Sequence, residues 1–221
     1  MTLNFNVAVA FILSAVVAYL LGSLCFGIIV SRLYAHKDVR DFGSGNAGMT
    51  NVLRNFGKIP AAITFVLDLG KGVLSVFLGK LVFHYIGGVS PEYYIIGAYV
   101  AGIFSILGHL YPVYFGFKGG KGVATGSGII LVIDPIVFCI LVGIFIIVVA
   151  LSKIVSLASV SCAVAYPIAT FLVHHYSGRP ALLDAIFAAG ISVIVIFMHR
   201  ANIKRLINGT ENKFGTRKKQ G

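Results

Sequence analysis

Residues 123–151 read VATGSGIILVIDPIVFCILVGIFIIVVAL, and the fold turns on whether this stretch is one helix or two. At 1.5 Å rise per residue it would extend about 44 Å, longer than the roughly 30 Å hydrocarbon core of a bilayer. Asp134-Pro135 lies near its middle. The residue before a proline avoids the helical region, and proline itself has no amide to donate. The stretch therefore reads as two short half-spans. Outward from it lie further apolar runs at 4–31, 59–86, 93–108, 155–175 and 181–198, each near the length a helix needs to cross. The expected architecture is an all-α polytopic membrane protein of about seven transmembrane helices, some of them short.

Composition agrees. Of 221 residues, 58% are hydrophobic and 11% charged, and the mean hydropathy is +0.95. A soluble domain carries about 25% charged residues, so a soluble globule and a disordered chain are both excluded. The formal net charge is +11. Basic residues are spread over short loops, with no soluble domain left to read nucleic acid. Cys25, Cys139 and Cys162 lie inside apolar runs at irregular spacing, which suits packing residues rather than a disulfide frame or a metal site. No charged segment precedes the first run, and 7–31 reads as a retained span rather than a cleaved signal.

Loop charge sets the expected orientation. Fifteen Lys and Arg fall in 32–58, 108–122, Lys153 and 199–221, against Arg179 alone in the alternate loops. The positive-inside rule then puts the N-terminus outside and the C-terminus in the cytoplasm, a parity that seven segments satisfy. The whole chain, 1–221, reads as one integral-membrane domain with a basic cytoplasmic tail at 212–221.

Three cytoplasmic segments are unlike ordinary connectors. The first is Phe42-Gly43-Ser44-Gly45-Asn46-Ala47-Gly48-Met49-Thr50-Asn51, followed by Arg54. Its glycines let backbone amides approach an anion. Ser44, Asn46, Thr50 and Asn51 add neutral donors, and Arg54 adds a forked cation suited to phosphate. A flexible polar linker is the plainer alternative.

The second is Gly108-His109-Leu110-Tyr111-Pro112, then Phe117-Lys118-Gly119-Gly120-Lys121-Gly122. Two lysines around Gly119 and Gly120 at a helix start combine charge with N-terminal amides, a means of holding phosphate. It is not a Walker A loop, because Gly122 stands where Ser or Thr is required after Lys121. Glycines for tight helix packing would not explain the lysines.

The third runs from His199-Arg200-Ala201-Asn202 through Lys204-Arg205 to Glu211. A basic segment after a span often serves orientation or lipid headgroups, which accounts for Arg217, Lys218 and Lys219 but not for His199, Asn202 or Glu211. Within the second span, Asp68 and Lys71 share a helix face, as a neutralising pair or a substrate contact. Ser156 and Ser159 sit near Lys153 at the end of another span. His36 and Asp41 match H-x-x-x-x-D, a spacing some acyltransferases use, without a companion motif; the match reads as coincidence.

Taken together, GSGNAGMTNVLR (43–54), GHLYPVYFGFKGGKGVAT (108–125) and HRANIKRLINGTE (199–211) resemble the bacterial acyl-phosphate-dependent glycerol-3-phosphate acyltransferases, integral enzymes of phosphatidic acid synthesis. Asp68-Leu69-Gly70-Lys71-Gly72 and the pair Ser156 and Ser159 match as well. Ala47, Met49 and Tyr111 depart from the family's usual residues without removing a charge or donor. The resemblance implies transfer of an acyl group from acyl phosphate to the 1-position of glycerol 3-phosphate, giving lysophosphatidic acid, without a covalent acyl-enzyme and without metal or cofactor.

The resemblance assigns Ser44, Arg54, Lys121 and His199 to catalysis. The substrate-binding set comprises Gly43, Gly45, Asn46, Thr50, Asn51, Lys71, Gly108, His109, Lys118, Gly119, Gly120, Ser156, Asn202, Arg205 and Glu211. His109 is expected to act more in loop architecture than in chemistry. The proton acceptor is a substrate phosphate or His199. The implied setting is the bacterial plasma membrane with the site on the cytoplasmic face, among membrane lipid. A transient contact with the enzyme that produces acyl phosphate is implied too. A transporter for phosphorylated solutes is the rival reading of the same basic loops, but it should carry polar motifs toward both faces. A structural subunit would leave the three polar loops unexplained.

Overall fold

The computed structural model describes residues 5–213. Ten α-helices, three single-turn 3-10 helices and no strands occur among them, which bears out the all-helical membrane class. The tail residues Arg217, Lys218 and Lys219 lie outside the described residues. Five helices are long and apolar enough to cross a bilayer, a sixth forms if the bent pair near the C-terminus counts as one span, and Val123–Ile133 is a shorter apolar helix.

The chain divides into two compact units, up to Ile133 and from Asp134 onward. In the first unit, α1 (Phe5–Gly22), α2 (Phe26–Ala35), α3 (Met49–Phe56), α4 (Lys58–Tyr85), α5 (Tyr94–Leu110) and α6 (Val123–Ile133) follow in order. Helix α4 packs on α1, α5 and α6. Small residues make that possible. A Cβ added to Gly79 of α4 would lie 2.2 Å from the Gly97 carbonyl of α5, and one added to Gly108 would lie 2.2 Å from the Tyr19 carbonyl of α1. On α1, Ser14, Ala18 and Gly22 face inward while Ile12, Val16 and Leu20 are exposed. Small inside and large outside is the pattern expected where lipid is the solvent.

Two features differ from the sequence expectation. The run 4–31 is not one helix, for the chain leaves helical geometry between Gly22 and Phe26. The Ser23 hydroxyl donates to Tyr19 O, and the freed Leu24 carbonyl accepts from Lys71 Nζ at 2.7 Å. Hydropathy cannot register such a break, because Ser23, Leu24 and Cys25 leave the window apolar. The second difference is α3, an amphipathic helix where the sequence suggested loop; its Leu53 packs with Val52, Val39 and Ile28.

The second unit contains α7 (Pro135–Ser152), α8 (Val155–Tyr176), α9 (Leu182–Met198) and α10 (Arg200–Ile207). The break at Asp134-Pro135 is present, and Asp134 caps α7 by accepting from Val137 N at 3.2 Å. Only α6, with 11 residues, is a short half-span; α7 has 18, enough to cross. Helix α8 packs on α7 and α9. At one end of this unit, His174 Nε2 lies 2.5 Å from Asp134 Oδ2, with Arg179 Nη2 also against it, and Nδ1 faces Asp184 Oδ2 at 2.6 Å, so that α7, α8 and α9 meet at one buried ring. Between α9 and α10 the axis turns by 63° at His199.

Candidate active site

In the first unit the polar loop after α2 is organised by one side chain. Asn51, 2% exposed, donates through Nδ2 to the carbonyls of Val39, Phe42 and Asn46 at 2.9, 2.9 and 3.0 Å. Its Oδ1 accepts from Ser44 N at 3.1 Å. Asn46 Oδ1 accepts from Gly48 N at 3.0 Å. Gly43 has φ +59°, and a Cβ there would lie 2.5 Å from Asn51 Oδ1, so only glycine fits. The loop is therefore a built structure rather than a linker. Asn51 and Asn46 hold the loop's shape, while Gly43, Ser44, Gly45 and Arg54 are on its exposed side and Thr50 is half-buried.

The second loop rests on His109. Gly119 N donates to Leu110 O and Gly120 N to His109 O, each at 3.1 Å. A Cβ on Gly119 would lie 2.0 Å from His109 O, and one on Gly120 would lie 2.1 Å from His109 Nε2. These glycines thus serve close approach to a histidine, and their amides are engaged within the loop instead of being presented to an anion. The lysines differ in setting: Lys118 is exposed and Lys121, two residues before α6, is half-buried. The amides of the first turn of α6 have no intrahelical acceptor and carry the positive end of its dipole.

Beneath the loop, the Lys71 ammonium is 2.8 Å from Asp68 Oδ1 and 2.9 Å from His109 Nδ1, and it donates to Leu24 O at 2.7 Å. Lys71, Asp68 and His109 are all buried. The ammonium is hydrogen-bonded to Leu24 O and His109 Nδ1, and Asp68 adds an ion pair. The geometry makes Lys71 the tie between the break after α1, α4 and α5.

In the second unit, α8 and α10 converge on Glu211. Ser156 Oγ donates to Oε1 at 3.0 Å, Asn202 Nδ2 to Oε1 at 2.8 Å, and Arg205 Nε to Oε2 at 2.7 Å. Burial pushes the Glu211 carboxyl up, but the hydrogen bonds from Asn202, Arg205 and Ser156 outweigh it, and its pKa lies below the ordinary value of 4.5. A carboxylate of this kind contributes stability above its unfolded pKa and loses it as pH falls through the folded one. Glu211→Gln is expected to lower stability near neutral pH by about 1.5–3 kcal/mol. The deficit should shrink as pH drops below 4.5; thermal unfolding across pH checks this. Ser159, read alongside Ser156, instead donates to Val155 O at 3.0 Å within its own helix.

His199 is 3% exposed, and its Nδ1 is 2.8 Å from Val195 O. A carbonyl only accepts, so Nδ1 carries the proton in the neutral ring and Nε2 carries the lone pair. The turn between α9 and α10 thereby sets the ring's tautomer.

A family model described as glycerol-3-phosphate acyltransferase matches residues 12–209. The chain belongs to the glycerol-3-phosphate acyltransferase family. Curated members are similar over nearly their whole length. The glycerol-3-phosphate acyltransferase of Clostridioides difficile (strain 630) is 43% identical over 209 residues, covering 95% of this chain and 98% of that one. The one from Staphylococcus carnosus (strain TM300) is 37% identical over 202 residues, covering 91% and 96%.

Two crystal structures of a glycerol-3-phosphate acyltransferase, the integral membrane protein PlsY (YgiH), share the fold. Its glycerol 3-phosphate form is 36% identical with a TM-score of 0.77, and its lysophosphatidic acid form is 35% identical with a TM-score of 0.75. Each comparison covers 93% of this chain and 96% of the other. The family match spans 43–54 and 108–125 in full and 199–211 up to Gly209. What sequence reasoning missed is Arg40, read only as an anchoring charge and found instead bonded to the second loop. Its signal was adjacency to the glycine-rich motif.

Proposed function

We propose that the protein moves a fatty acyl group from an acyl phosphate to the 1-hydroxyl of sn-glycerol 3-phosphate, releasing lysophosphatidic acid and inorganic phosphate, as the first acylation of bacterial phospholipid synthesis. The observation that carries this reading is family membership across 12–209, which takes in nearly all of the three polar motifs. The neighbours of known structure, in forms with glycerol 3-phosphate and lysophosphatidic acid, support the acceptor and the product.

In the proposed step the 1-hydroxyl oxygen attacks the acyl carbonyl carbon. The bond from that carbon to the bridging phosphate oxygen breaks, and phosphate departs with the electron pair. A mixed anhydride is already activated, so direct transfer needs no covalent nucleophile. Ser44, Arg54 and Lys121 stabilise charge that grows on the departing phosphate, with Lys118 and the amides opening α6 adding positive potential. Asn46, Asn51, Gly43 and Gly45 shape the first loop, and Thr50 adds a hydroxyl donor for substrate. Gly108, His109, Gly119, Gly120 and Lys71 shape the second. Ser156, Asn202, Arg205 and Glu211 form the polar group of the second unit that the motif resemblance assigns to substrate.

The hydroxyl proton passes to a substrate phosphate oxygen. A second reading gives it to His199, favoured by the Nδ1 contact with Val195 O that fixes the ring's tautomer. His199→Gln decides between them: loss of the acidic limb of the pH–rate profile, where protonation would disable the base, assigns the proton to His199, and a profile of unchanged shape assigns it to phosphate.

The chain acts as one acyltransferase domain over 1–221 with a basic tail at 212–221, in the bacterial plasma membrane. Its basic loops face the cytoplasm, the N-terminus lies outside, and the apolar donor is received from the enzyme that makes it through a transient contact. Purified protein in detergent is expected to form lysophosphatidate from palmitoyl phosphate and glycerol 3-phosphate and to ignore acyl-CoA and acyl-carrier protein. Folded protein inactive with palmitoyl phosphate, or equally active with acyl-CoA, overturns the assignment.

A further inference from the structure

Arg40 carries more contacts than a membrane-anchoring charge requires. It sits in the single helical turn Val39–Asp41 after α2. Its Nε donates to Asp38 Oδ1 at 3.0 Å and its Nη2 to Asp38 Oδ2 at 2.8 Å. Its Nη1 donates to Phe115 O at 2.7 Å and to Lys118 O at 3.0 Å, across 75 and 78 residues of sequence. Asp38 is held in turn by Arg32 Nη2 at 2.8 Å, and the Arg32 guanidinium lies 5.7 Å from the centre of the Phe115 ring. Orientation needs only charge on the right side of the membrane; a planar fork with both edges engaged is a matter of geometry.

The two carbonyls that Arg40 holds bracket an unfavourable piece of backbone. Gly116 and Phe117 both have positive φ, +66° and +58°. Glycine adopts this region freely, but a bulky aromatic rarely does. Phe117 is 57% exposed, so burial of the residue does not hold the conformation. Immediately after the bracket come Lys118, Gly119, Gly120 and Lys121.

We propose that Arg40, clamped by Asp38, is a positioning residue: its bonds to the carbonyls of Phe115 and Lys118 hold Phe117 in the left-handed region and so aim the glycine-lysine loop at the substrate phosphate. The part that concerns phosphate rests on the acyl-transfer reading above. Hydrogen bonding from Arg40 keeps the Asp38 carboxyl well below the usual carboxylate range, so the clamp stays charged over the working pH.

Arg40→Lys keeps the charge and removes the fork. It is expected to lower kcat/KM by at least about tenfold, a modest share of what a misplaced binding loop can cost, and to speed trypsin cleavage after Lys118 and Lys121 in the detergent-solubilised protein. Adding Phe117→Gly, which relieves the left-handed strain, is expected to restore at least threefold in kcat/KM, with no comparable gain in the parent background. Parental activity or parental cleavage in Arg40→Lys overturns the proposal. So does a double variant no better than Arg40→Lys, because a merely structural loss would not respond to backbone strain at residue 117. Cleavage is read without substrate, so a failure of the acyl-phosphate assignment and a failure of the clamp are seen separately.

Discussion

Lys121→Ala is expected to lower kcat/KM for acyl transfer by roughly 100- to 1,000-fold, the range for removing one preorganised group that stabilises charge developing in a transition state. The residue is half-buried at the entry to α6, where low solvent access strengthens a cation's effect on a nearby anion. The glycines before it bond their amides to Leu110 and His109, so in the proposed transfer the loop offers phosphate its lysines rather than a glycine nest. Lys218→Ala and Lys219→Ala provide the comparison: if their charges serve orientation, their loss should leave the rate near that of the parent. Equal loss from the loop lysine and the tail lysines would remove the special status of Lys121. An unchanged thermal midpoint and unchanged accessibility of the loops to labelling confirm that the variant retains its fold and topology.

Asp68→Asn should have the largest effect on stability. The pair Lys71 and Asp68 is buried, each side chain 1% exposed, at 2.8 Å. Removing one member of a buried ion pair leaves the other charge without compensation and costs about 3–5 kcal/mol. For a chain of this size that is about 6–20 °C in the unfolding midpoint. The loss extends beyond one helix, because the same ammonium holds the Leu24 carbonyl at the break after α1 and the His109 ring beneath Gly120. The double variant Asp68→Asn/Lys71→Met removes both charges and should recover much of the midpoint, as expected where burial of an unpaired charge is the dominant cost. A double variant as unstable as Asp68→Asn would mean that lost hydrogen bonds dominate.

Much of the fold was legible without coordinates. Apolar runs of membrane length are a one-dimensional signal, and the break at Asp134-Pro135 follows from local chemistry that needs no partner. The shared face of Asp68 and Lys71 rests on the same kind of local periodicity. The break between α1 and α2 was not legible, since it depends on Lys71, 47 residues away, accepting the role of donor to Leu24 O. Helix α3 was hidden because its polar residues and neighbouring glycines look like loop until Val52 and Leu53 find Ile28 and Val39.

The candidate site divides along the same line. Residue type and spacing alone single out the glycine-rich and lysine-bearing loops, because phosphate chemistry demands donors and cations, and the motif order names the family. Which of those residues shape a loop and which are exposed to act was decided only by tertiary contacts. Asn51 turned out to be the loop's internal brace, Gly119 and Gly120 the fitting over His109, Glu211 the acceptor that gathers Ser156, Asn202 and Arg205, and Arg40 a clamp on a distant turn. A hydrogen bond has direction and a partner in space, and neither is written in the order of residues along the chain.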